Sequence, residues 1–339
     1  LKATIYDVAR EAGVSIAAVS QVINGKGKIS EERRNQIMLV MERLHYQPSY
    51  IAAALTGKKT YTLGLLVPDI SNPFFAEIAR SVENQGDSRG YSLVICSTDN
   101  KDERLERYLS LLQQKSVDGM IIGTGIKKKE MLDRMLERSV PIVMIARELP
   151  EIDVQTVVVD DFAGGVLAAK HLLGLGHSRM SVLAEAPQVS SSRERIRGFR
   201  QALAEAGLEL PEERVRESSE DLVKDGKCRA MELLSHKERP TAIFCCNDLL
   251  AVGALQAAKQ LQIGVPSELS IVGFDNTILA SVTDPPLTTV AQPMELMGTI
   301  AVDLVIGQLN KEPAVQQRKV LSPELIIRQS TAALKLRTE

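Results

Sequence analysis

The chain has 339 residues, 44% of them hydrophobic and 25% charged, with a formal net charge of −2. That length suits two or three domains with a sizeable buried core and excludes a disordered or fibrous chain. Residues 1–60 carry nine Lys and Arg against five Asp and Glu, whereas the remainder carries 32 against 38, so a basic head precedes an acidic body and points to a polyanionic partner.

In chain order, "TIYDVAREAG" places Ile5, Val8, Ala9 and Ala12 at i, i+3, i+4 and i+7. With Thr4 as N-cap and Asp7 three residues later, this predicts a two-turn helix stopped by Gly13. Ser15 caps a second helix whose Val19, Val22 and Ile23 face inward and which ends at Asn24-Gly25; Ser30 caps a third, striped by Ile37, Val40, Met41 and Leu44. Helices this short must pack on one another. Any three-helix bundle would show such stripes, but the turn "AGVS", the small Ala9 at the crossing and the basic excess favour a helix-turn-helix. The second helix, "SIAAVSQVING", turns Ala17, Ser20, Gln21 and Asn24 away from the core, with Ile16 at its leading end.

"QPSYIAAALTGKKTYT" separates head from body. Pro48 ends the third helix, and "SYIAAAL" forms a helix too short to be stable in water, which suits a segment that orders only when paired or bound. From residue 61, apolar runs of strand length alternate with helical stretches: "YTLGLLVP", "YSLVICST", "GMIIGT", "PIVMIA" and "TVVVDD", then "RMSVLAE", "TAIFCCN" and "LSIVGFD". This is an α/β chain with two parallel, doubly wound sheets. Such sheets bind ligands beyond the C-terminal ends of their strands, so Asp69, Asp160, Asn247 and Asp275 are candidates there, although each could equally cap the following helix. "FAGG" at 162–165 lacks a G-x-G-x-x-G frame and reads as helix packing. "PMELMGTIAVDLVIGQL" is a helix and "RKVLSPELIIRQS" the closing strands.

Cys96, Cys228, Cys245 and Cys246 have no C-x-x-C spacing, and no apolar run approaches the length of a membrane span. With no secretion signal in the first residues, a cytoplasmic protein is expected. The four histidines are scattered, and no nucleotide, hydrolase or metalloprotease motif is present, so no catalytic residue, cofactor or metal is expected.

The N-terminus resembles the LacI/GalR family of bacterial repressors, which typically reads like "ATIYDVAREAGVS" followed by "VSQVING", and the resemblance runs nearly the whole length. It implies a helix-turn-helix head at 1–46, a hinge helix and linker at 47–60, and a two-lobed, periplasmic-binding-protein-like core at 61–339. The N-lobe would comprise about 61–161 plus 292–320, and the C-lobe about 162–291 plus 321–335. By that resemblance Ile16, Ala17 and Gln21 read bases, and Tyr6, Ser15, Ser20 and Asn24 contact phosphates. Leu55 is the wedge pressed into the minor groove, with Ala52 the small residue near it. The resemblance also implies effector-binding roles for Asp69, Asn72 and Phe74 in "VPDISNPFF", for Ser191 and Arg195 in "SSSRERIRGF", for Asn247 and Asp275, and for Gln292. Many sugar-binding members have Asp where this chain has Ala146, followed by Arg147, itself an effector-binding candidate, and often an aromatic near "SSEDLVKDG". Both departures admit an anionic or phosphorylated metabolite, or a protein co-effector, beside a sugar.

The expected partners are therefore a pseudo-palindromic double-stranded operator, a small-molecule effector and a second copy of the chain. The last residues, "TAALKLRTE", are too short for tetramer-forming heptads. The alternatives are a periplasmic-type solute-binding protein, which would need a secretion signal instead of the basic head, and a sugar-processing enzyme, which would need a catalytic constellation.

Overall fold

The computed structural model describes residues 3–23, 27, 29–46, 59–126, 130, 132, 136, 140–149, 152–218, 221–313 and 317–334. The chain divides into two units, Leu1–Thr60 and Tyr61–Glu339.

In the first unit, α1 (Ile5–Glu11) begins with a capping box: Thr4 Oγ1 accepts from the Asp7 N–H while the Asp7 carboxylate takes the Thr4 N–H at 3.0 Å. It stops at Gly13, φ +64, where the Val14 N–H reaches the Ala9 carbonyl at 3.0 Å and the Gly13 N–H reaches that of Arg10 at 3.3 Å. That paired closure needs a left-handed residue, which glycine adopts without strain. α2 (Ile16–Ile23) is capped by Ser15 and α3 (Glu31–Arg43) by Ser30, and the three helices bury Val8, Ala9, Ala12, Val19, Val22, Ile37 and Val40 together. Ile5, Val14, Ile23, Met41 and Leu44 pack around that core.

The second unit holds two six-stranded sheets. Its first lobe runs β1 (Thr62–Val67), α4 (Pro73–Ser88), β2 (Ser92–Ser97), α5 (Asp102–Gln114), β3 (Gly119–Ile122), β4 (Ile142–Ile145) and β5 (Gln155–Val159). The second runs α6 (Asp161–Gly174), β6 (Met180–Ala184), α7 (Ser190–Glu205), β7 (Val215–Glu217), α8 (Leu222–Leu234), β8 (Ala242–Cys245), α9 (Asp248–Gln260), β9 (Ser270–Asp275), α10 (Ile278–Val282) and β10 (Thr288–Ala291). The chain then returns through α11 (Met294–Leu309) and β11 (Arg318–Leu321) to the first lobe, and ends with β12 (Glu324–Ile326) in the second. The strand orders are β2-β1-β3-β4-β5-β11 and β7-β6-β8-β9-β10-β12, the same path drawn twice.

One strand departs from the expected all-parallel pairing: β12 runs antiparallel to β10. Only residues 322 and 323 separate it from β11. β11 runs parallel to β5 and ends where the chain crosses between the lobes, so β12 enters the second sheet at the end where β10 leaves it and runs the opposite way.

Each sheet is covered on both faces. In the first lobe α4 and α11 close one side over Ile78, Val82, Met297 and Val302, while α5 closes the other over Leu105, Leu109 and Leu112. In the second lobe α6 and α7 cross at glycines: a Cβ on Gly165 would overlap the Arg195 carbonyl, and one on Gly198 would overlap that of Phe162. The "FAGG" stretch is thus a helix-packing feature, and it fixes where Arg195 sits. Gly165→Ala is expected to lower the unfolding free energy by about 1–3 kcal/mol. Gly174→Ala, exposed at the end of the same helix with open space around it, leaves stability unchanged or raises it by up to about 1 kcal/mol. Urea unfolding of both variants checks the pair, and equal effects would contradict the crossing argument.

Candidate functional site

On the head, Ser15, Ile16, Ala17 and Gln21 are exposed on α2 and Ser20 is half-buried, while Val19 and Val22 face the core. Tyr6 of α1 is 68% exposed, unusual for so large an aromatic on a small helical unit. Ser15 Oγ accepts from the Ala18 N–H at 3.2 Å, which leaves its hydroxyl proton to donate outward. The Gln21 side chain lies against Gly27, φ +99, where a Cβ would collide with its amide. Asn24, Ala52, Leu55 and the expected hinge helix lie outside the described residues.

In the two-lobed unit a cleft of about 430 Å³, counting its open mouth, lies at the C-terminal ends of the strands. The first lobe contributes Asn72, Phe74 and Phe75 at the start of α4, Ala146 and Arg147 after β4, and Val159 at the end of β5. The second contributes Asp161, Glu185 after β6, Ser191 and Arg195 of α7, Asn247 before α9, and Asp275 of β9; Gln292 sits where the chain crosses back.

Arg195 organises the floor. Its guanidinium is buried, donates from Nε to Asp161 Oδ1 at 2.7 Å and from Nη1 to the Cys246 carbonyl, and lies 3.7 Å from Asp275 Oδ1. Its centre stands 3.6 Å from the centroid of the Phe274 ring. Burial alone would lower its pKa, but Asp161 and Asp275 outweigh that effect and hold it charged. Asp275 in turn accepts from Gln292 Nε2 at 2.7 Å, and burial pushes its carboxyl well above the usual range despite Arg195. The neighbouring thiols are inert: burial pushes Cys246 up to about 12 and Cys245 well above its ordinary value.

Asn72 and Asn247 both cap helices and line the cleft. Each uses Oδ1 to cap a helix, accepting from Phe74 N–H at 3.1 Å and from Leu250 N–H at 2.8 Å, which leaves the amide NH₂ groups as donors at the cleft. Away from the chain crossovers, hydrogen bonds also reach from one lobe to the other: Arg147 Nη1 donates to Ser191 Oγ at 2.9 Å, and the Ile278 N–H donates to Glu77 Oε1 at 3.1 Å. Ala146 holds φ +57, a left-handed geometry costing about 1 kcal/mol or more for a residue with a Cβ.

Asp69 and Asp160 are not among the residues that line the cleft. Asp69 is exposed and takes the Ser71 N–H and hydroxyl, both at 2.8 Å, in a local turn; Asp160 caps α6 through the Ala163 N–H at 2.9 Å. The structure places Asn72, Phe74, Arg147, Ser191, Arg195, Asn247, Asp275 and Gln292 together around the cleft. The sequence reading missed Phe75, Ala146 as a lining residue, Val159, Asp161 and Glu185. Glu185 ends "RMSVLAE" and the strand-end rule applies to it directly. Asp161 is the second acid of "VVVDD", and only the α6–α7 crossing shows which of the two faces Arg195. Among the described residues, no group of three or more His, Cys, Asp or Glu is placed to hold a metal ion, and no helix is long and apolar enough to cross a membrane.

A helix-turn-helix head joined to a two-lobed unit with a polar cleft defines a DNA-binding regulator that responds to a small molecule. Residues 4–49 match the model of bacterial regulatory proteins, lacI family, and residues 169–331 match that of a periplasmic binding protein-like domain. The chain is 45% identical over 338 residues to the HTH-type transcriptional regulator DegA of Bacillus subtilis (strain 168), covering 98% of this chain and 99% of that one. It is 37% identical over 332 residues to the ribose operon repressor of Escherichia coli (strain K12), covering 97% and 99%. The Lac repressor dimer bound to operator and the anti-inducer ONPF superposes with a TM-score of 0.88 at 26% identity, over 98% of this chain and all of that one. The chain belongs to the lacI family of bacterial regulatory proteins, and it is a sequence-specific DNA-binding transcriptional regulator under metabolite control.

Beneath the cleft floor, Asp248 is buried and accepts from the Thr277 N–H at 2.8 Å, the Thr277 hydroxyl at 3.0 Å and the Thr289 hydroxyl at 2.7 Å. Burial pushes its carboxyl up to about 6 in spite of those bonds. The folded state therefore holds this proton more tightly than the unfolded chain, and the side chain's contribution to stability falls as pH rises from about 4 to about 6. In Asp248→Asn the amide oxygen can keep the Thr277 bonds while its NH₂ donates to the Thr289 hydroxyl. Relative to wild type, the variant should gain about 2 kcal/mol on going from about pH 4 to about pH 8. Urea unfolding at both pH values reads this gain; a wild-type-to-variant difference independent of pH would contradict it.

Proposed function

We propose that this chain represses transcription as a homodimer on a pseudo-palindromic operator, and that its effector is a neutral, polyhydroxylated metabolite of sugar type. The observation that carries the ligand class is the charge balance of the cleft. Two guanidiniums, Arg147 and Arg195, face three carboxylates, Asp161, Glu185 and Asp275, and Arg195 is already neutralised by Asp161 and Asp275. A phosphorylated ligand would add negative charge to a site that holds no net positive charge to receive it. Hydroxyls, by contrast, both donate to carboxylates and accept from the NH₂ groups of Asn72, Asn247 and Gln292 and from Arg147. Phe74 and Phe75, in edge-to-face contact at 4.9 Å, offer the apolar wall that a sugar ring's C–H face needs. The ribose operon repressor relationship is consistent with this class.

Arg147, Ser191, Glu77 and the Ile278 N–H are the groups through which ligand reaches the lobes' relative position, because they bond across the cleft. Ligand shifts operator affinity only as far as it discriminates between the lobe arrangements that pair the two hinge segments at 47–60 and those that do not. We read the head as 1–46 and the lobes as 61–161 plus 292–320 and 162–291 plus 321–335. The carboxylates of the cleft bind and orient; no catalytic role is assigned to them. The protein acts in the cytoplasm, where operator DNA is. For base reading, Ile16 and Ala17 meet thymine methyls and Gln21 pairs with adenine, while Tyr6, Ser15 and Ser20 hold phosphates.

In a thermal-shift screen of neutral sugars, sugar phosphates and nucleobases, a neutral sugar raises the melting temperature by about 5 °C or more at a hundredfold excess over its Kd. The same compound alters salt-sensitive binding to a labelled operator. Stabilisation by phosphates alone would overturn the ligand class, and absence of selective DNA binding would overturn the regulator reading. With no Arg or Lys on the α2 reading face, operators selected from a random library should be rich in A·T at the outer half-site positions. Guanine selected there would contradict the assignment of Ile16, Ala17 and Gln21.

A further inference from the structure

Three carboxylates line the interlobe cleft, and two of them are committed. Asp161 takes Arg195 Nε at 2.7 Å, and Asp275 takes Gln292 Nε2 at 2.7 Å and lies 3.7 Å from Arg195 Nη1. Glu185 is the third. It stands just past the end of β6, half-buried, and its one interaction among the described residues is with the Ser192 hydroxyl, which donates to Oε2 at 3.3 Å. A hydroxyl that satisfies a carboxylate approaches to about 2.5–2.7 Å, and an ionised carboxylate offers about four acceptor positions, so most of the capacity of Glu185 is unused.

The fold turns that capacity toward the ligand. Strands β6, β8, β9 and β10 are neighbours in the second sheet, about 4.8 Å apart, and Glu185, Asn247, Asp275 and Gln292 stand at or just past their ends in that order. Glu185 forms one end of this row, and the bonded pair of Asp275 and Gln292 forms the other. The start of α7 adds a second feature. Ser191 holds Arg147 of the first lobe at 2.9 Å, and the next residue, Ser192, holds Glu185 of the second, so a guanidinium and a carboxylate face the cleft, each bonded to a neutral hydroxyl rather than to the other. Opposite charges kept on neutral tethers match a hydroxyl group, which donates in one direction and accepts in the other.

We propose that Glu185 is a specificity-determining residue of the cleft, which accepts a hydrogen bond from a hydroxyl at one end of the effector. The assignment rests on the sugar-type reading of that effector, and it names which of the three carboxylates reads a ligand hydroxyl. Asp161 and Asp275 set the shape of the floor through Arg195, whereas Glu185 is left to discriminate.

Isothermal titration calorimetry of the full-length protein with D-ribose and D-glucose, each beside its singly deoxygenated analogues, reads the contact one hydroxyl at a time. Wild type is expected to bind one of the two sugars, and to bind at least one deoxygenated analogue of it about tenfold or more weaker than the parent. In Glu185→Ala the parent weakens by about the same factor and that analogue loses no further affinity, while the penalties for removing the other hydroxyls stay as in wild type. A purely structural role would weaken every ligand alike and leave each hydroxyl's penalty unchanged. Glu185→Gln, whose amide oxygen can keep the Ser192 bond, binds the parent sugar with intermediate affinity and carries the test should the alanine variant fail to fold. Wild type that binds neither sugar would overturn the sugar-type reading and this assignment with it. Wild type that binds one of them, with every hydroxyl's penalty preserved in the variants, would overturn the role of Glu185 alone.

Discussion

A guanidinium taken fully out of water must bring its counter-charges and acceptors with it, because an unpaired buried cation is far less stable than a solvated one. Arg195 meets that requirement by drawing together three elements. Asp161 comes from the start of α6, the Cys246 carbonyl from just past the end of β8, and both the Asp275 carboxylate and the Phe274 ring from the end of β9. These are the strand ends where a doubly wound sheet presents its ligand site. Once Arg195 is satisfied, the floor of the cleft has a fixed shape and a fixed charge balance.

The same constraint explains features away from the charge itself. Arg195 reaches Asp161 because α6 and α7 approach within backbone contact at Gly165 and Gly198. Asp275, φ +113, and Asn276, φ +62, leave β9 in backbone geometry that favours glycine, and the Arg195 and Gln292 contacts hold Asp275 there. Below the floor, Asp248 ties Thr277 and Thr289 together, so the loop after β9 and the strand β10 move with the start of α9.

Much of this was legible in the sequence, for identifiable reasons. The head follows from local signals: the capping box at Thr4 and Asp7, the glycine stop at residue 13 and the apolar stripes each act within a few residues. The alternation of strand and helix was also readable, since buried parallel strands are continuous apolar runs. What escaped depended on contacts between distant segments. The antiparallel β12 follows from a two-residue link between lobes, and the choice of Asp161 over Asp160 from a helix crossing set by Gly198. Short elements such as β7 and α10 carry too few residues for a periodic signal. Asp69 lies outside the cleft lining and satisfies its own turn, an arrangement that an acid after a strand does not distinguish from a ligand position in the sequence.

The most direct test of the central role given to Arg195 is the unfolding free energy of Arg195→Met and of the triple variant that adds Asp161→Asn and Asp275→Asn. Urea titration followed by circular dichroism serves, since the chain has no tryptophan. Removing the cation alone strands the buried Asp275 and the partly buried Asp161 carboxylates and should cost about 3–5 kcal/mol; neutralising them as well should recover more than half of that loss. A single variant within about 0.5 kcal/mol of wild type, or a triple variant no more stable than the single, would contradict the account.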